Sequence, residues 1–313
     1  MSLSPHAFLV QCNELLALKI CSLFQPKPLS ALFNERCINI VSESAFSILH
    51  SPSLSKLHSF IISNFFLHQT HMTRPKIYLY GDSITEDSFS IGGWGASLAH
   101  HFSRTVDVLL RGYSGYNTRW ALKVLDRVFP ASPGGDGVSA TAPVALTVFF
   151  GANDACLPDR CSAFQHVPLH EYKHNLQSIV SFFKKRWPST LVVLITPPPI
   201  DEEARCRYPY VDNPQGLPER TNDAAGEYAR VCMAVAGELG IPVVDLWTKM
   251  QQFPDWKKDF LSDGLHLTQS GNQVVFEEVI TKLRDGGLSL ESMPVDLPLI
   301  ADIDPNNPLK SFQ

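Results

Sequence analysis

Residues 76–85 read Lys76-Ile77-Tyr78-Leu79-Tyr80-Gly81-Asp82-Ser83-Ile84-Thr85, a short apolar run that ends on a glycine, an acid and a serine. Apolar residues without polar alternation predict a strand buried on both faces. Outward from it, strand and helix patterns alternate. Trp94 to Phe102 reads as a helix, Val106 to Leu110 as a strand, Asn117 to Phe129 as a helix and Val144 to Phe150 as a continuously apolar strand. Leu169 to Trp187 then sets Leu169, Tyr172, Leu176, Ile179, Val180 and Phe183 on one helical face. Leu191 to Ile195 is a fourth strand, a helix runs from about Glu219 to Leu239, Val243-Val244 opens a fifth strand, and Val275 to Leu283 is a last helix stopped by Gly286-Gly287. Residues 130 to 143 read as a surface loop, and Pro197 to Pro218, with six prolines, as an irregular connector. Parallel neighbours need crossover connections, so this alternation predicts an α/β protein with a five-stranded parallel sheet and helices on both faces.

The chain has 313 residues, 44% of them hydrophobic and 18% charged, enough apolar material for a sizeable core. The 26 Lys and Arg against 31 Asp and Glu give a net charge of -5, without the basic stripe that nucleic acid would require. Seven cysteines, an odd number with no C-x-x-C, make neither a disulfide framework nor a zinc pattern. That usage fits a reducing compartment, and the expected location is the cytoplasm.

Residues 1–71 differ from the rest, with twelve serines, three acids and four scattered basic residues, and are expected to be a poorly structured extension. Lys19 breaks the apolar stretch Leu15 to Phe24, which lacks a basic leader and is too short to span a bilayer. The composition suits a plastid or mitochondrial transit peptide in its serines, but not in its single arginine, Arg36. Met72 offers a plainer expectation, a start or mature terminus near it, because core-like sequence begins at Thr73-Arg74-Pro75. The central unit is then 72–287, and 288–313, rich in Pro and Asp, is expected to lie extended on the surface.

Open α/β sheets bind ligands at the carboxyl ends of their strands. Four polar clusters fall there: Asp82-Ser83, Gly112 to Asn117, Gly151 to Asp154, and Asp263 to His266. Ser83 between a strand and a helix is well seated for a nucleophile, with Gly81 permitting a tight turn. A serine needs a base and an orienting acid, and Asp263 and His266, three residues apart, can supply both. The backbone N–H of Ser83, that of Gly115 and the carboxamide of Asn153 are candidate donors to a developing oxyanion. Singly, each cluster has a plainer reading as a turn or a helix cap. Together, in order, they fill every role of acyl transfer.

The four blocks Gly81-Asp82-Ser83-Ile84-Thr85, Gly115 within Arg111 to Asn117, Gly151-Ala152-Asn153-Asp154 and Asp263-Gly264-Leu265-His266 resemble those of the GDSL esterase/lipase family, the SGNH hydrolases. Arg111 to Leu122 and Phe149 to Cys156 look most like the isoamyl acetate-hydrolysing esterase subgroup, including its plant members. The resemblance covers about residues 74–285. It implies a flavodoxin-like three-layer α/β/α fold and a small or short-chain ester, including acetates, as substrate. Ser83 would be nucleophile, His266 base and Asp263 its partner, with Ser83, Gly115 and Asn153 forming the oxyanion hole. No cofactor or metal is implied, and neither a nucleic-acid partner nor an integral membrane segment is expected.

Other readings compete. His170-Glu171-Tyr172-Lys173-His174 matches the H-E-x-x-H of zinc peptidases, with Glu202 or Glu203 as a conceivable third ligand. The apolar stripe of that helix leaves both histidines at its rim, and no third histidine motif follows. Cys156, Cys161 and His166 lack the second half of a zinc pattern. A non-catalytic acyl-binding module on the same scaffold is the remaining alternative. G-x-S-x-G, G-x-G-x-x-G and the P-loop motif are all missing. Pro197 to Pro218, carrying Ile200, Tyr208 and Tyr210, is either a wall of the acyl pocket or a rigid connector. Trp94, Trp120 and Trp247 are either pocket lining or core.

Overall fold

The computed structural model of the chain describes residues 74–130, 142–209 and 211–312. The expected extension at 1–71, most of the loop at 130–143, and Tyr210 lie outside the described residues.

Five strands, β1 (Lys76–Gly81), β2 (Asp107–Gly112), β3 (Ala145–Phe149), β4 (Leu191–Ile195) and β5 (Val243–Val244), form one parallel sheet in the order β2-β1-β3-β4-β5. This is the doubly wound order in which the chain moves outward from β1 and then reverses across it. The register aligns Gly112 with Gly81, Gly81 with Phe149, Phe149 with Ile195, and Ile195 with Val244. All five strands therefore end at one level, and every loop that follows them starts from the same edge.

Strand side chains alternate between faces, and each face has its own core. Ile77, Leu79, Phe149, Val193 and Ile195 pack with α2 (Trp94–His101), α7 (Leu246–Gln251) and α9 (Gln269–Asp285). Tyr80, Leu146, Val148, Val192 and Leu194 pack with α3 (Thr118–Val128), α4 (Leu169–Arg186) and α6 (Asn222–Leu239). The Tyr80 ring sits edge-on to Phe129, Phe150 and Phe183, and its hydroxyl donates to the Ala121 carbonyl at 2.7 Å. Trp94 lies at 0% exposure in the first core, and Trp247 packs against that core while its indole N–H reaches Asn222.

Some elements depart from the sequence expectation. The last helix starts at Gln269, six residues before the apolar periodicity, because the Thr268 hydroxyl caps it by accepting from Gly271 N–H at 3.1 Å. Pro197 to Pro218 is not wholly irregular, since α5 (Glu202–Arg207) lies within it. α7 and α8 (Trp256–Phe260) are short helices that the apolar pattern does not announce. The tail after Leu288 is largely exposed but held down. Asp296 accepts from Arg74 and Arg104, and Arg104 also donates to the carbonyls of Leu297 and Pro298. Cys156, Cys161, Cys206 and Cys232 are free thiols. Among the described residues, no helix is long and apolar enough to cross a membrane.

Gly81 is needed for space rather than for its turn conformation. A Cβ there would stand 2.0 Å from the Thr85 hydroxyl and 2.6 Å from the Phe149 carbonyl oxygen. Gly81→Ala is expected to cost about 3 kcal/mol in urea unfolding, as overpacking against backbone does. A loss within about 0.5 kcal/mol of zero would contradict that close approach.

Candidate active site

α1 (Ser83–Glu86) begins directly where β1 ends. Asp82 caps it, its Oδ1 accepting from Ile84 N–H at 3.0 Å, and this turn sets Ser83 at the sheet edge, on the wall of a cavity. From beyond β5, a turn brings up the histidine. Asp263 Oδ1 accepts from the backbone N–H groups of Leu265 at 3.0 Å and His266 at 2.8 Å, so the carboxylate folds the loop that it serves. Its Oδ2 lies 2.8 Å from His266 Nδ1. An ionised carboxylate only accepts, so Nδ1 carries the proton and the Nε2 lone pair faces Ser83 Oγ at 3.0 Å.

The Asp263 carboxylate stays ionised. Burial by itself would raise it, but the hydrogen bond and charge of His266, its backbone N–H and the Arg205 guanidinium hold it well below the usual carboxylate range.

Gly115 and Asn153 lie on the same cavity as Ser83, Asp263 and His266. Gly115 has φ +77°, whereas a Cβ would meet only Gln165 Nε2, at 3.5 Å. Glycine is therefore demanded here by the left-handed backbone, not by crowding. The orientation of the Asn153 carboxamide follows from its partners. Its Oδ1 accepts from Arg220 at 2.9 Å and Gln165 at 3.2 Å, and its Nδ2 donates one hydrogen to the Tyr116 carbonyl at 2.9 Å. The second Nδ2 hydrogen is left for the cavity. Among the described residues, the backbone N–H groups of Ser83 and Gly115 have no protein acceptor.

Asp154 accepts from the Thr118 N–H at 3.0 Å and from the Thr118 hydroxyl, tying the loop after β3 to the start of α3. Sequence reading missed Gln165, Arg205, Glu219 and Arg220, all buried beside the cavity. Tyr208 and Pro209 line the cavity, whereas Ile200 belongs to the core. Trp120 stacks with Phe164 outside it.

The metal alternatives are not assembled. His170 and His174 are exposed, and Glu171 is held by Arg119 at 2.6 and 2.7 Å. His166 Nδ1 pairs with the Cys156 carbonyl. Among the described residues, no group of three His, Cys, Asp or Glu is arranged to hold a metal ion.

A model of the GDSL-like Lipase/Acylhydrolase family matches residues 77–279. The chain belongs to this family. A GDSL esterase/lipase of Arabidopsis thaliana is 66% identical over 77% of this chain and 99% of its own length. The human isoamyl acetate-hydrolyzing esterase 1 homolog is 44% identical over 73% of this chain and 88% of its own length. The crystal structure of a lipase/acylhydrolase from Enterococcus faecalis, 24% identical, covers 71% of this chain and 98% of its own with a TM-score of 0.52, which speaks for the fold. This GDSL esterase/lipase is a carboxylic ester hydrolase of the plant-type, isoamyl acetate esterase-like subgroup.

Two further acids of the esterase lie fully buried. Burial pushes Asp82 and Asp154 up from 3.8 to about 7 against their hydrogen bonds. Each binds its proton more tightly folded than unfolded. Their contribution therefore favours folding below about pH 4 and is lost as pH rises towards about 7. Asp82→Asn keeps the cap and removes that titration. The fall in urea-unfolding stability from about pH 5 to about pH 7 is expected to shrink in this variant, and an undiminished fall would contradict the assignment.

Proposed function

We propose that the esterase works through an acyl-enzyme on Ser83 and that its substrates carry small or short acyl groups. The observation that carries the reading is the 3.0 Å contact between Ser83 Oγ and His266 Nε2, backed by Asp263 on the far side of the ring. His266 takes the serine proton as Oγ attacks the ester carbonyl, then returns it to the departing alcohol. The same imidazole activates the water that releases the acid. The Ser83 and Gly115 N–H groups and the Asn153 amide meet the charge that develops on the carbonyl oxygen.

The cavity supports the short-chain reading. It measures about 260 Å³, at the small end of ligand pockets, and its hydrocarbon comes mainly from Leu265, Tyr208 and Pro209. Apart from Gly115, the remaining described lining residues carry polar side chains. A long acyl chain would meet desolvated polar groups where it needs apolar contact, whereas an acetyl group would not.

Ser83→Ala and His266→Ala are each expected to abolish ester hydrolysis in a folded protein. Asn153→Ala should lower kcat by about 10² to 10³ fold, and Asp263→Asn less than loss of the serine. Full turnover by folded Ser83→Ala would remove Ser83 as nucleophile. Across p-nitrophenyl esters from acetate to dodecanoate, kcat/KM should peak at the short end and fall about tenfold or more by octanoate. A maximum at the long chains would overturn the size assignment.

A further inference from the structure

Behind the cavity runs a chain of buried charges. Arg205 Nη1 donates to Asp263 Oδ2 at 2.8 Å, the same oxygen that His266 Nδ1 approaches. The Nε and Nη2 of Arg205 donate to Glu219 Oε1 at 2.9 and 2.5 Å. Arg220 Nη1 reaches that same Glu219 oxygen at 2.8 Å, while its Nε binds the Ala152 carbonyl at 2.9 Å. Arg220 Nη2 forks onto Asn153 Oδ1 at 2.9 Å and Gln165 Oε1 at 3.0 Å. Gln165 Nε2 in turn holds the Gly115 carbonyl at 2.9 Å.

Resting on the Ser83 reading, we propose that Arg205, Glu219 and Arg220 form one positioning unit that sets the orienting carboxylate of the base and the oxyanion donors in a fixed mutual geometry. The side chains of both arginines are 2% exposed and that of Glu219 is 0% exposed. Taking such charges out of water is expensive, and an apolar core of equal volume would often be as stable. What the ions provide and hydrocarbon does not is direction. A planar guanidinium fixes its acceptors at set angles. One end of the chain of contacts fixes the oxygen that orients His266. The other fixes which atom of Asn153 points away from the cavity, leaving its N–H to point in. Counting Asp263, the chain balances two positive against two negative groups. None of the three needs to touch substrate; Arg205 acts through Asp263, and Glu219 with Arg220 acts through Asn153.

The test is a pair of double-mutant cycles on the full chain, with p-nitrophenyl acetate as substrate and circular dichroism with thermal midpoints to monitor folding. Glu219→Gln combined with Arg220→Met leaves Arg205 facing Asp263 and so preserves charge balance. It is expected to lower kcat by about ten- to a hundredfold with KM within about twofold. In an Asn153→Ala background, the same pair should cost less than about a further twofold, because the group it positions is gone. In the second arm, Arg205→Met should lower kcat about tenfold or more, with Arg205→Lys recovering part of it, and should add less than about twofold on top of Asp263→Asn. Wild-type kcat in folded Glu219→Gln/Arg220→Met, or undiminished losses in either background, would overturn the positioning role. Those results, with Ser83→Ala still inactive, would leave the nucleophile in place; an active Ser83→Ala would instead sink the reading beneath.

Discussion

Ser83 Oγ and His266 Nε2 meet across 183 residues of chain, and the rest of the site is arranged around that contact. Neither side chain can reach the other through local structure. The contact depends on five parallel strands ending at one level, with β1 placing Ser83 next to the reversal of strand order and the segment beyond β5 returning over the same edge. The sheet thus converts distance in sequence into a hydrogen bond. Each face of the sheet has its own apolar core to hold that level, so no loop has to do so alone.

Electrostatics divides the acids of the site into two kinds. Asp263 is only partly buried, receives four donors and stays charged, as a carboxylate that must orient an imidazole should. Asp82 and Asp154 are fully enclosed and are pushed towards neutrality, and their contacts are to helix starts and a hydroxyl. In the proposed mechanism the first kind orients the base, while the second holds the frame. Between them, the buried arginines supply fixed positive charge that the cavity wall needs where two carboxylates and two carboxamides converge.

Much of this was legible in the residues because the signals were strong and local. The strands are short, largely apolar runs that no helix period fits, and β1, β2 and β3 are each followed at once by a polar cluster. Where the chain was misread, the cause is equally local. Gln269 to Gln273 is wholly polar or small, so the opening turn of α9 is declared only by the Thr268 cap. α7 and α8 are too short to build a period. The partner of Asp154, Thr118, lies 36 residues away, where no local spacing announces it. Glu219-Arg220 looks like any solvated pair of opposite charges, and Arg205 sits in a segment crowded with charge and proline. Nothing in their spacing signals burial, which comes only when α5 folds beneath the loop of Asp263.

The account turns on which atom carries the acyl group during turnover. Rapid acid quench of the esterase under single-turnover conditions with p-nitrophenyl acetate, followed by peptide mapping, reads that atom directly. The account predicts a transient acetyl group on Ser83 that vanishes as acetate is released; a transient acetyl group on any other residue would contradict it.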